Sequence, residues 1–158
     1  MYPYLFRVCI RAHHPKDDLA YLTQLFAMDP SLSWVAGEPC IKHRPTSRPR
    51  SESLWVAPLT EDEVSSSVRA LEDVVSLALE RLSEQAASLV SFSASGGTWD
   101  VYIQLSGSRN FGVILGPSLL SRLSALNVEL QLDIFPEAPQ SRESFPAKPR
   151  GTATRRGA

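Results

Sequence analysis

The sequence is poor in the features that usually declare a function. Cysteine is nearly absent: Cys9 and Cys40 are the only two in 158 residues. Two thiols cannot make a disulfide framework, so free cysteines in a reducing compartment are expected. No apolar run approaches the ~20 residues needed to cross a bilayer. The start, MYPYLFRVCIRAHH, has no basic leader, and Arg7 and Arg11 break its apolar residues. It reads as a strand and not as a signal peptide, and a cytoplasmic location is expected. Charge surplus is also missing, with 16 cations against 17 anions. No G-x-S-x-G elbow appears, and the glycines lack the spacing of a phosphate cradle. Paired carboxylates fall where helices start or on solvated faces, so acid–base catalysis has no obvious home. An enzyme is not expected, and neither is a cofactor.

What the chain does have is unevenly placed. Residues 136–158 carry five cations and two anions, whereas residues 1–135 carry 11 cations and 15 anions. The expected organisation is one α+β domain over 1–135, followed by a flexible basic tail over 136–158 that is too poor in apolar residues to order itself. An acidic body argues against a dedicated nucleic-acid binder.

Residues 4–12 alternate apolar and polar, the period of a strand with one buried face. Pro15 and the acids Asp17 and Asp18 suit a helix start, with Leu19, Leu22, Leu25 and Phe26 as its stripe and Asp29-Pro30 as its stop. Ser53–Pro58 is a short apolar strand. LTEDEV, residues 59–64, has the parts of a capping box, with Thr60 as cap and Glu63 reaching back. Val64, Val68, Leu71, Val75, Ala78, Leu82, Ala86 and Leu89 then predict one long helix ending near Ser93, before Gly96-Gly97. Trp99–Leu105 alternates as a strand, SGSRN turns, and FGVIL (111–115) is its expected hairpin partner. Ser118 caps a short helix, and Val128–Ile134 alternates as a last strand. The predicted order is β-α-β-α-β-β-α-β, a mostly antiparallel sheet of about five strands with helices on one face.

Between Trp34 and Trp55 lies EPCIKHRPTSRPR, the centre of an exposed Pro-rich loop over 38–52. Its Lys42, His43, Arg44, Arg48 and Arg50 are candidate partner-binding residues. Cys40-x-x-His43 has ligand spacing, and Cys9, His13 and His14 are further donors. No second C-x-x-C or H-x-x-x-H pair exists to complete a zinc site, and solvated side chains are the simpler reading. The cations with Trp34 or Trp55 as stacking platforms would suit phosphates and bases. However, the cations alternate with prolines, and both tryptophans stand where apolar structure resumes. A one-sided sheet leaves a second face carrying Arg7, Cys9, Arg11, Asp100, Tyr102, Gln104, Glu129, Gln131 and Asp133. Arg11, Tyr102 and Gln104 are the candidates there, because Tyr among charges of both signs suits protein recognition.

The order of several weak motifs carries a resemblance. The chain has an opening strand, LFAMDP (25–30), Gly37 in WVAGE, a basic gap, then the tryptophan of ESLWVAP. A long helix, a hairpin and LSALNVELQLDIF complete it. Over residues 5–136 it resembles an uncharacterised bacterial family, domain of unknown function 4279. The resemblance supplies no catalytic residues. Some relatives look like immunity proteins of bacterial toxin systems. With the acidic body and the missing catalytic groups, the expectation is a non-enzymatic domain whose partner is another protein, a toxin in the most specific version, blocked by occlusion. The alternative is a nucleic-acid-binding accessory protein using the loop and tail. No membrane partner is expected.

Overall fold

The computed structural model describes residues 2–41 and 47–136. Its centre is β1 (Leu5–His14), where Phe6, Val8, Ile10 and Ala12 are buried on one side. β1 lies between β3 (Ser53–Pro58) and β5 (Thr98–Gly107), both antiparallel to it. The short β2 (Leu32–Trp34) flanks β3, and β6 (Glu129–Pro136) flanks β5 in parallel. β4 (Val64–Ser65) also pairs with β1, giving a six-stranded sheet of order β2-β3-β1-β5-β6 plus β4. Among the described residues four helices accompany it: α1 (Tyr21–Phe26), α2 (Leu71–Ser83), α3 (Ala86–Ala94) and α4 (Pro117–Ala125). Their apolar stripes meet β1, Trp55, Trp99, Val101, Ile103 and Leu105 in one core. The α+β class and the mostly antiparallel open sheet are therefore as the sequence predicts.

The long helix is not. Residues 60–70 are not helical, and α2 starts at Leu71. The Thr60 hydroxyl has another employment: Val8 N–H donates to its Oγ1 at 3.1 Å. Leu59 N–H meets the Val8 carbonyl at 2.8 Å, and Val64 then pairs with Phe6. The pairing shifts from Cys9↔Pro58 to Phe6↔Val64, so Glu61–Glu63 bulge out of the edge and a side-chain oxygen bridges the interrupted ladder. Val68, assigned to the apolar stripe, is 83% exposed. A second break at Glu84-Gln85 separates α2 from α3, while Leu82 and Leu89 stay buried on either side of it. Thr60→Val keeps the shape but orphans the Val8 amide. It is expected to cost about 1–3 kcal/mol in urea denaturation, with Thr60→Ser close to the native protein.

The hairpin is also corrected. Residues 111–115 form no strand, and the place beside β5 belongs to β6. The period-two signal is real, since Phe111, Val113 and Leu115 pack on the core. Phe111 stacks on Tyr4 at 5.0 Å and lies against Gly107. The segment thus carries the chain off β5 toward α4 instead of folding back on it.

α1 is shorter than predicted because His14 ties down the residues before it. Lys16 and Asp17 N–H both donate to His14 Nδ1, at 3.1 and 2.7 Å. Nε2 therefore carries the proton and donates to the Ser95 carbonyl at 3.1 Å. The helix stops at Ala27, whose φ of 49° is left-handed, before Pro30 can act.

Candidate interaction face

The side of the sheet away from the core carries a connected set of polar side chains. Period two places Arg11 and His13 of β1 on this side, opposite Asp100 and Thr98 of β5 and Val56 and Leu54 of β3. Asp100 is only 5% exposed. Its carboxylate accepts from Arg11 Nε at 2.8 Å and from His13 Nε2 at 3.1 Å. The other His13 nitrogen donates to Glu52 Oε1 at 3.3 Å. Arg11 Nη2 reaches Gln131 Oε1 of β6 at 2.5 Å, and its guanidinium lies 4.1 Å above the Tyr102 ring. The Tyr102 hydroxyl donates to Asp133, and Gln104 Nε2 donates to that hydroxyl at 3.4 Å.

These neighbours set the protonation of the face. The hydrogen bond to Asp100 holds His13 above the ordinary histidine value of 6.5, with Glu52 adding to it against the cost of burial. Both ring nitrogens face carboxylate oxygens, an arrangement only the imidazolium satisfies fully. Burial raises the Cys9 thiol, and burial with the Asp133 hydrogen bond raises Tyr102. Neither is an activated nucleophile. For His13 the folded value exceeds the unfolded one. Its contribution to stability is therefore complete below about pH 6.5 and is lost as pH rises through the folded value. The stability gap between the native protein and His13→Gln is expected to be wider at pH 6 than at pH 8.5. An NMR titration of His13 should read above 6.5 and fall in Asp100→Asn.

The Pro-rich segment is a continuation of this sheet. β2 and β3 lead into a hairpin whose arms stay paired, with Arg50 N–H to the Glu38 carbonyl at 2.8 Å and Cys40 N–H to the Arg48 carbonyl at 3.1 Å. Pro39 faces Pro49 between them. That is a position where the ladder asks for no amide donor, so two prolines fit without leaving a carbonyl unmet. Gly37, at φ 86°, makes the turn that admits the chain to the hairpin.

The structure thereby joins two regions that looked separate in sequence. Arg50 stacks 3.8 Å from the centre of the Trp34 ring. Trp34 Nε1 donates to the Glu52 carbonyl, and Glu52 holds His13. Arg50, Arg11, Tyr102 and Gln104 thus lie along one chain of contacts. Arg48 is exposed on the same hairpin arm. Lys42, His43 and Arg44 lie outside the described residues, as does the 137–158 tail. Trp55 is fully buried, with its indole N–H donating to Thr23 Oγ1 at 3.2 Å, and Trp34 is covered by Arg50, so neither offers a bare stacking platform. His13 was missed as a face residue. Continuing the β1 alternation two residues past Arg11 would have found it. Among the described residues no three His, Cys, Asp or Glu side chains gather closely enough to hold a metal, and no helix is long and apolar enough to cross a membrane.

Fold and face together define an open-sheet α+β domain that presents a cross-braced polar surface beside an edge hairpin. The chain belongs to the family of domain of unknown function DUF4279, whose model matches residues 5–136. Neither the curated proteins nor the solved structures yield a match.

Proposed function

We propose that the protein is a non-enzymatic domain that binds another protein, covering its working surface with the open face and the 38–50 hairpin. The specific form is neutralisation of a toxin by occlusion. The observation that carries this reading is the continuous contact chain from Arg50 through Trp34, Glu52, His13, Asp100 and Arg11 to Tyr102. Side chains already held by one another lose little freedom on docking, which favours tight and specific protein contact. Arg11 is engaged with Asp100 and Tyr102, and Arg50 with Trp34, an arrangement better suited to a surface of mixed charge than to a phosphate backbone. Leu32, 49% exposed and paired with Val56, adds an apolar margin.

The test is capture from a lysate of the source cells, with Arg50→Glu and Gln104→Arg as controls that leave the core untouched. One protein retained by the native domain and lost at least tenfold by either variant supports the reading. Recovery of nucleic acid alone, released steeply by salt, would replace it with the accessory-protein alternative.

A further inference from the structure

β6 ends the sheet, and among the described residues no strand pairs with its outer edge. It is eight residues long, has no lysine, and carries proline only as its last residue, so its guards are two acids, Glu129 and Asp133, both on the open side. On its core side Leu130 packs inward. Beyond it the helix layer stops short, leaving Leu132 40% and Ile134 64% exposed. On its open side stand Glu129, Gln131, Asp133 and Phe135.

We propose that β6 pairs antiparallel with β6 of a second copy, joining two sheets into one across a two-fold axis at Leu132. The register follows from the side chains. A two-fold normal to the sheet keeps open faces together, so only residues of the same parity can be opposite. An axis at Gln131 would set Glu129 against Asp133 twice, and an axis at Asp133 would set that residue against itself. Like charges directly opposite are unfavourable. An axis at Leu132 sets Glu129 against Phe135 and Gln131 against Asp133, and puts no acid opposite another. On the core side it gathers Leu132 with Leu132 and Leu130 with Ile134. The uncovered end of each strand then lies beside the helix-covered start of the other.

The polar pair is also correctly polarised. Gln131 uses its carbonyl oxygen for Arg11, which leaves its amide N–H groups to donate. Asp133 accepts the Tyr102 hydroxyl hydrogen bond on one oxygen, which leaves the other free to accept. The dimer would therefore add a hydrogen bond to each end of the face network without breaking one already made.

Sedimentation equilibrium of the full chain at high micromolar concentration is expected to give twice the 17.4 kDa chain mass. Ile134→Lys, at an exposed position, should weaken association at least tenfold while leaving the circular dichroism unchanged. On a Cys9→Ala, Cys40→Ala background, Leu132→Cys should oxidise to a linked dimer and Glu129→Cys should not. A single-chain mass throughout the range would overturn the proposal, whether the edge is left bare or covered by the chain itself. A dimer indifferent to Ile134→Lys would do so as well, and so would cross-linking at 129 without cross-linking at 132.

Discussion

Asp100→Asn should lower stability by about 3 kcal/mol, among the largest losses available to any substitution outside the apolar core. The asparagine fits the same space. It removes the charge that two donors share, and presents Arg11 or His13 with N–H groups where an acceptor stood. Asp100 is buried beneath both partners, and the Arg11 side chain is only 17% exposed, so water replaces the lost interaction poorly. The loss is read as a lower urea midpoint, followed through the buried tryptophans. Arg11→Gln should cost less, because His13 remains to pair with the carboxylate. A loss under about 1 kcal/mol, the range of surface ion pairs, would mean that the face is solvated and not preorganised. Partner binding should fall with it, since Arg11 loses one of the contacts that hold it over Tyr102.

The second large effect comes from the smallest change. A β-carbon on Gly97 would lie 2.3–2.5 Å from three atoms of the Phe92 ring. That ring cannot step aside: it is wedged between Trp99, 4.8 Å away, and His14, 5.6 Å away. Gly97→Ala is expected to cost about 2–3 kcal/mol through forced repacking, measured as a drop in Tm. Adding Phe92→Leu should make the two changes cost less together than the sum of each alone, because the obstacle is then gone. Strict additivity would place the strain elsewhere. Gly96 beside it plays a different part, with φ at 101° and only Pro15 nearby.

How much of this was readable in the sequence depended on the range of the interaction that decides each element. β1, β5 and β6 announce themselves, because alternation is local and each has one apolar side. Arg11, Tyr102 and Gln104 were placed on a shared face by that period alone. What the period cannot say is which strands are neighbours. FGVIL alternates as well as any strand, yet the site beside β5 goes to β6, which begins only at Glu129. Thr60 fails for a related reason. A capping box and a ladder acceptor require the same hydroxyl, and the choice is made by Val8, 52 positions away. The Pro-rich hairpin was hidden because its pairing rests on backbone atoms that proline does not mark. His13 lies just past the alternation read over residues 4–12, and because neighbouring strand residues point to opposite sides, it and His14 do unrelated work.

The central place of β1 has a consequence for how the protein comes into being. β1 precedes every other described strand and needs an edge from each direction, and the two suppliers come late. Arg11 waits for Asp100, 89 residues downstream, and the β3 edge closes only after the hairpin has been made. Contacts of such separation favour slow folding. A growing chain that has reached α2 carries an apolar strand with one flank bare, which is a substrate for chaperones or for misassociation with its neighbours. Truncations that end before β5 should for the same reason yield aggregates and not smaller domains. Pauses in translation that fall before Thr98 should reduce the yield of native protein more than pauses that fall after Gly107.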